Sequence, residues 1–125
     1  MNQPLSGRNI LIVEDESLVA MLLETILEDM GCTPVGPASS VDEGLALIES
    51  GTVLDGALLD VNVAGVKIFP IAEALAARDI PFVFSTGYGE GGLPDEWKGR
   101  PTLQKPFSEA AVQDALMTAL GVASV

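Results

Sequence analysis

Basic residues are scarce in this chain of 125 residues: six Lys and Arg stand against 18 Asp and Glu, a formal charge of −12. A charge of that sign repels a phosphate backbone and an anionic bilayer alike, which argues against direct binding of nucleic acid or a membrane surface. Cysteine is nearly absent as well. Cys32 stands alone, so no intrachain disulfide can form, and its ordinary reading is a buried, small apolar thiol in a reducing compartment. No apolar run approaches the roughly 18 residues that a spanning helix needs. The polar start MNQPLSGRN lacks the apolar core of a signal peptide. The expectation is a soluble, cytoplasmic protein. Charged residues make up 19% of the chain and hydrophobic ones 48%, proportions of a packed globule rather than a disordered segment. The length suits one domain with its own core, and the expectation is a single domain without a second, effector domain. Internal repeats and low-complexity tracts are also missing.

What is present is an alternation of short apolar runs with helix-like stretches, the pattern of an α/β protein. The run NILIV (Asn9 to Val13) is continuously apolar after Asn9 and reads as a strand buried on both faces. Val19, Leu22, Leu23, Ile26 and Met30 then recur at helical spacing, with Gly31 as a stop. A short strand near Thr33 to Val35 precedes Ser40 and Glu43, whose spacing is that of a capping box for a second helix ending near Gly51. Ala57 to Leu59 form a third strand that ends at Asp60, and a loop VNVAG leads to a third helix marked by Ile68, Ile71 and Leu75, with Pro70 in its first turn. PFVFS (Pro81 to Ser85) is the fourth strand and Thr102 to Gln104 the fifth. Ser108 caps a last helix whose Val112, Ala115, Leu116 and Ala119 face inward. Between Thr86 and Pro101 lie five glycines and two prolines, so the helix expected there should be short, displaced or absent.

Strands joined by crossover helices run parallel, and right-handed crossovers gather their carboxyl ends on one edge, where ligands bind. Glu14 and Asp15 follow the first strand, Asp60 ends the third, Thr86 follows the fourth and Lys105 the fifth. Each has an ordinary explanation alone: acids at a helix start, a turn aspartate, a strand-end threonine, a solvated lysine. Their joint arrival at one edge is a much rarer coincidence. Three crowded carboxylates call for a cation between them, and an all-oxygen donor set with few protein ligands suits Mg²⁺. Lys105 and the Thr86 hydroxyl would then meet oxygens of a phosphoryl group, which leaves Asp60 as the nucleophile.

In these residues the chain resembles the response-regulator receiver family. The matching motifs are IVEDE with Glu14 and Asp15, LLDVN with Asp60, FSTGYG with Thr86, and QKPF with Lys105 and Pro106. The resemblance covers nearly the whole chain. It implies one receiver domain over residues 1–125, with a core at about 8–121, and the flavodoxin-like fold: a doubly wound, five-stranded parallel sheet of order 2-1-3-4-5 with helices on both faces. It further implies direct Mg²⁺ ligation by Asp15 and water-mediated ligation by Glu14, completed by Asp60 and the backbone carbonyl of Asn62. The phosphodonor would be a phosphohistidine of a kinase or phosphotransferase, and an unknown downstream protein would read the result. Monomer or weak dimer is the expected state. Gly87 leaves the acceptor open to a donor. FSTGYG also resembles the FAT GUY subgroup, many of whose members are stand-alone regulators. One departure matters. The family's usual aromatic three residues before the lysine is here Thr102, so the threonine-to-aromatic switch lacks its second half. An order–disorder change across Gly87 to Gly99, with Tyr88 moving, is the expected substitute, against the plainer reading of Tyr88 and Trp97 as packing anchors.

Two rival functions share parts of this pattern. An aspartate nucleophile with Mg²⁺ also describes haloacid-dehalogenase-like phosphatases, but these need a second acid two residues on, where Asn62 cannot cycle a proton. The expectation is therefore not an enzyme, beyond the domain's part in its own phosphorylation and dephosphorylation. The other rival is a receiver fold used as a phosphorylation-independent binding module.

Overall fold

The computed structural model describes residues 5–87 and 93–122. Among these residues, seven strands and four α-helices follow in chain order: β1 (Asn9–Val13), α1 (Ser17–Asp29), β2 (Thr33–Ala38), α2 (Val41–Glu49), β3 (Gly56–Asp60), β4 (Asn62–Val63), β5 (Val66–Lys67), α3 (Phe69–Ala77), β6 (Phe82–Thr86), β7 (Thr102–Gln104) and α4 (Glu109–Leu120). Five of the strands form one parallel sheet of order β2-β1-β3-β6-β7. This is the expected order once the small β4–β5 ribbon is set aside.

The continuous apolar runs are explained by the two covered faces. Leu11, Val13, Ala57, Leu59, Phe82 and Phe84 pack in one core with Val41 and Ile48 of α2 and Ile71 and Leu75 of α3. Ile10, Ile12, Leu58, Val83 and Leu103 alternate with them and pack on the other side with Leu23, Ile26 and Leu27 of α1 and Val112, Leu116 and Met117 of α4. Alternate side chains of one strand thus feed two cores, which is why β1 from Ile10 to Val13 and β3 from Gly56 to Leu59 carry no polar side chain. Cys32 is buried in the second of these cores, its Sγ 3.3 Å from the Leu5 carbonyl oxygen.

The helix signals are realised in detail. The Ser40 Oγ accepts from the Glu43 N–H at 3.1 Å, while the Glu43 carboxylate reaches back to Ser39, accepting from its N–H at 2.7 Å and from its hydroxyl at 3.0 Å. The capping box therefore closes one residue earlier than the Ser40–Glu43 pair implies. Ser108 caps α4 through the Ala111 N–H. Gly44 sits inside α2 because that helix crosses α3 there: a Cβ would lie 2.5 Å from the Ile71 Cδ1.

Three local expectations are corrected. Leu22 is exposed rather than part of the core, since Leu23 and Ile26 define the buried stripe of α1. Strand β2 runs on to Ala38, past a shift in register, because its last residue still pairs with Val13. The stretch VNVAG is not an open loop but a β-hairpin, in which Asn62 pairs with Lys67 and Val63 with Val66. Ala64 and Gly65 turn it with φ of 51° and 79°, the double positive φ of a type I′ turn. Between β6 and β7 the described residues hold only a single 3-10 turn, Asp95–Trp97. Its Trp97 packs edge-on against Phe82 and Phe84, with Arg100 stacked over the rings of Phe82 and Trp97. Trp97 is thus a packing anchor. Among the described residues, no helix is long and apolar enough to cross a membrane.

Candidate functional site

Register brings the chemistry to one edge. Val13 pairs with Leu59, so Glu14 and Asp60 leave the sheet side by side; Thr86 pairs with Gln104, so Lys105 emerges next to Thr86. A backbone bond from the Lys105 N–H to the Thr86 carbonyl, 3.0 Å, holds those two ends together. The Lys105 Nζ then reaches across β6 and β3, donating to Glu14 Oε1 at 3.1 Å and to Asp60 Oδ2 at 3.3 Å, with Glu16 Oε1 3.9 Å away. Glu14, Asp60 and Thr86 are buried, with relative exposures of 2%, 8% and 4%, whereas Asp15 is exposed.

Each carboxylate is oriented by a backbone donor. Glu14 Oε2 accepts from the Glu16 N–H at 3.0 Å, Asp60 Oδ1 from the Asn62 N–H at 3.3 Å, and Asp15 Oδ2 from the Ala64 N–H at 3.0 Å. The last bond joins the first strand's end to the hairpin turn 49 residues later. Burial pushes the Glu14 carboxyl up to about 7, opposed by its bond from the Glu16 amide, with the nearby Asp60 charge adding to the rise. Burial alone would lower the Lys105 ammonium, but the Glu14 and Asp60 carboxylates outweigh it and raise its pKa.

Ligand oxygens of Glu14, Asp15 and Asp60 all lie within 4.8 Å of one another. That spacing, the all-oxygen donors and a negative charge that one lysine does not balance together fit a hard divalent cation. Beside them opens a cleft of about 380 Å³ lined by Glu16, Asp60, Val61, Asn62, Lys67, Thr86, Gly87 and Lys105. Gly87 is exposed, and among the described residues a Cβ there would meet nothing within 4 Å, so the glycine keeps the mouth clear. Pro106 follows Lys105 and lines a separate shallow groove with Phe107. Tyr88 and the four residues after it, up to Gly92, lie outside the described residues.

The structure thus unites Glu14, Asp15, Asp60 and Lys105 and places Thr86, Asn62 and Gly87 on the same cleft. Sequence reasoning missed Glu16 and Lys67. Glu16 was readable as one more acid of IVEDE, whereas Lys67 carried no signal, because its place depends on the hairpin.

A family model for the response regulator receiver domain matches residues 10–117, and the chain belongs to that family. Among curated proteins it is similar to the phyllosphere-induced regulator PhyR of Methylorubrum extorquens, 30% identical over 115 residues, which are 89% of this chain and 43% of that protein. The chain therefore spans less than half the length of that relative. Among solved structures it is similar to SdrG of Sphingomonas melonis Fr1, with a TM-score of 0.82 and 50% identity over 98% of this chain and 100% of that one. The REC domain of the PhyR response regulator from Erythrobacter litoralis matches with a TM-score of 0.79 and 27% identity, over 97% of this chain and 96% of that one.

Proposed function

We propose that this receiver domain is a phosphorylation switch whose acceptor is Asp60 and whose donor is a phosphohistidine on a kinase or phosphotransferase. The observation that carries the reading is the Lys105 ammonium bridging Glu14 and Asp60 while three carboxylates share one small volume. Asp15, Asp60 and the Asn62 carbonyl would hold Mg²⁺ directly, with Glu14 acting through water. The cation, when bound, supplies positive charge to the phosphate oxygens in flight. An Asp60 carboxylate oxygen forms the bond to phosphorus as the bond from phosphorus to the donor's nitrogen breaks, its electron pair leaving with that nitrogen. Lys105 exchanges a carboxylate partner for a phosphate oxygen, and the hydroxyl of Thr86, a residue lining the same cleft, donates to another. Asn62 stands where a phosphatase would need an acid, so the acyl phosphate persists as a signal rather than turning over.

Incubation with Mg²⁺ and acetyl phosphate followed by intact mass measurement tests this. The wild type should gain one phosphoryl group and Asp60→Asn none. A wild type without adduct, or an adduct surviving in Asp60→Asn, overturns the assignment. A partner that binds both proteins equally, donor present or not, would instead support the phosphorylation-independent module.

A further inference from the structure

Only six basic side chains serve 125 residues, yet two of them, Lys67 and Lys105, line the cleft at Asp60. Lys105 is committed to Glu14, Asp60 and Glu16. Lys67 is exposed, and among the described residues no carboxylate lies within ion-pair distance of it. We propose that Lys67 is a phosphate-binding residue at the cleft mouth, which attracts and holds the anionic phosphoryl group of the donor as it approaches Asp60. This rests on the phosphorylation reading above and adds to it the group that recognises the donor.

The hairpin is what places Lys67 there. Its partner in register is Asn62, two residues beyond Asp60, and the Ile68 N–H closes the ribbon on the Val61 carbonyl at 3.0 Å. The turn is tied at its tip, where the Ala64 N–H donates to Asp15. A type I′ turn matches the twist of paired strands, so the two-residue ribbon carries Lys67 on a defined backbone rather than on a wandering loop. The side chain itself is a flexible stem with a compact ammonium, the form of cation that follows a phosphate without demanding one geometry.

Electrostatics gives it work to do. Glu14, Asp15 and Glu16 stand around the acceptor Asp60, and an approaching phosphoryl donor carries about −1.5 to −2 charge at pH 7. Lys105 is neutralised locally by its own carboxylates, so it offers little attraction at a distance. An unpaired ammonium at the mouth raises the local concentration of the donor and contacts its non-bridging oxygens, without taking or giving a proton.

Phosphorylation by acetyl phosphate, followed over donor concentration at low and high salt, tests this for Lys67→Ala, Lys67→Arg and Lys67→Glu. Lys67→Ala should raise the donor concentration at half-maximal rate roughly three- to tenfold at low salt, with little change in the maximal rate. Lys67→Glu should be worse, Lys67→Arg close to wild type, and the gap should narrow as salt screens the charge. Melting temperature and Mg²⁺ affinity should stay at or above wild-type values in Lys67→Ala, because that variant removes a cation from beside a cation site. If the wild type is phosphorylated and Lys67→Ala and Lys67→Glu match it at low salt, the inference is overturned alone; an effect seen only with a protein donor would overturn it in favour of a carboxylate contact on the partner. A wild type that takes no phosphoryl group overturns the phosphorylation reading and this inference together.

Discussion

Glu14 is the residue in which burial and function pull hardest against each other. Its carboxyl is pushed from 4.5 to about 7 first by burial, and then by the neighbouring Asp60 charge, against the Glu16 amide and Lys105. A carboxyl raised in the folded state binds its proton more tightly there than in the unfolded chain. Its contribution to stability is therefore complete below the unfolded value of 4.5 and is lost as pH rises through about 7. In EDTA, the part of the urea midpoint that depends on Glu14 should fall from roughly pH 5 to pH 8, and Glu14→Gln should flatten that fall. Mg²⁺ affinity should rise over the same window, because the cation favours the ionised carboxylate. A pH-independent affinity measured by calorimetry would contradict the role given to Glu14. Asp60 was legible in the sequence because its strand end is readable from an apolar run, and Lys105 through the motif QKPF. The bond from Ala64 to Asp15 was not, since it joins positions 49 residues apart.

At the scale of elements, the helix starts were the most readable features. Capping is a local exchange between a side chain and an amide three residues on, so Ser40 and Ser108 could be named from the sequence alone. Ser40→Ala should cost about 1 kcal/mol, measured as a shift of the denaturation midpoint with unchanged slope. The exposed Glu43 carboxyl is held below its usual range by bonds from the Ser39 N–H and hydroxyl. The stability it contributes is present above 4.5 and is lost as pH falls through its lower folded value. The β4–β5 hairpin was illegible for a physical reason. Its strands are two residues long, too short for alternation to show, and its turn places Ala64 at positive φ where the usual signature is Asn or Asp before Gly. Lys67 went unnoticed with it.

The molecule as a whole is organised around two cores that meet only through the sheet. The layer under α2 and α3 is completed by a group of aromatic rings, Phe69, Phe82, Phe84 and Trp97, in edge-on contacts 5.3–6.3 Å apart. Trp97 is the chain's single tryptophan and is buried, with no hydrogen-bond partner for its Nε1 among the described residues. Trp97→Ala should cost about 3–5 kcal/mol in chemical denaturation. Trp97→Phe should cost much less, because it keeps most of the ring contact and removes a buried, unpaired N–H. Equal losses in the two variants, followed by circular dichroism, would show that the indole does more than fill space.

The sequence by itself determined the parallel α/β fold and the set of strand ends that carry Glu14, Asp15, Asp60, Thr86 and Lys105. Both follow from short-range rules: apolar runs make strands, capping residues start helices, and right-handed crossovers send every carboxyl end to one edge. Only the tertiary structure decided which carboxylates share Lys105, that burial sets Glu14 apart from the exposed Asp15, and that a hairpin brings Lys67 to the cleft. Those outcomes depend on register between strands and on distances across the sheet, which come from packing two cores at once and leave no trace in the local order of residues.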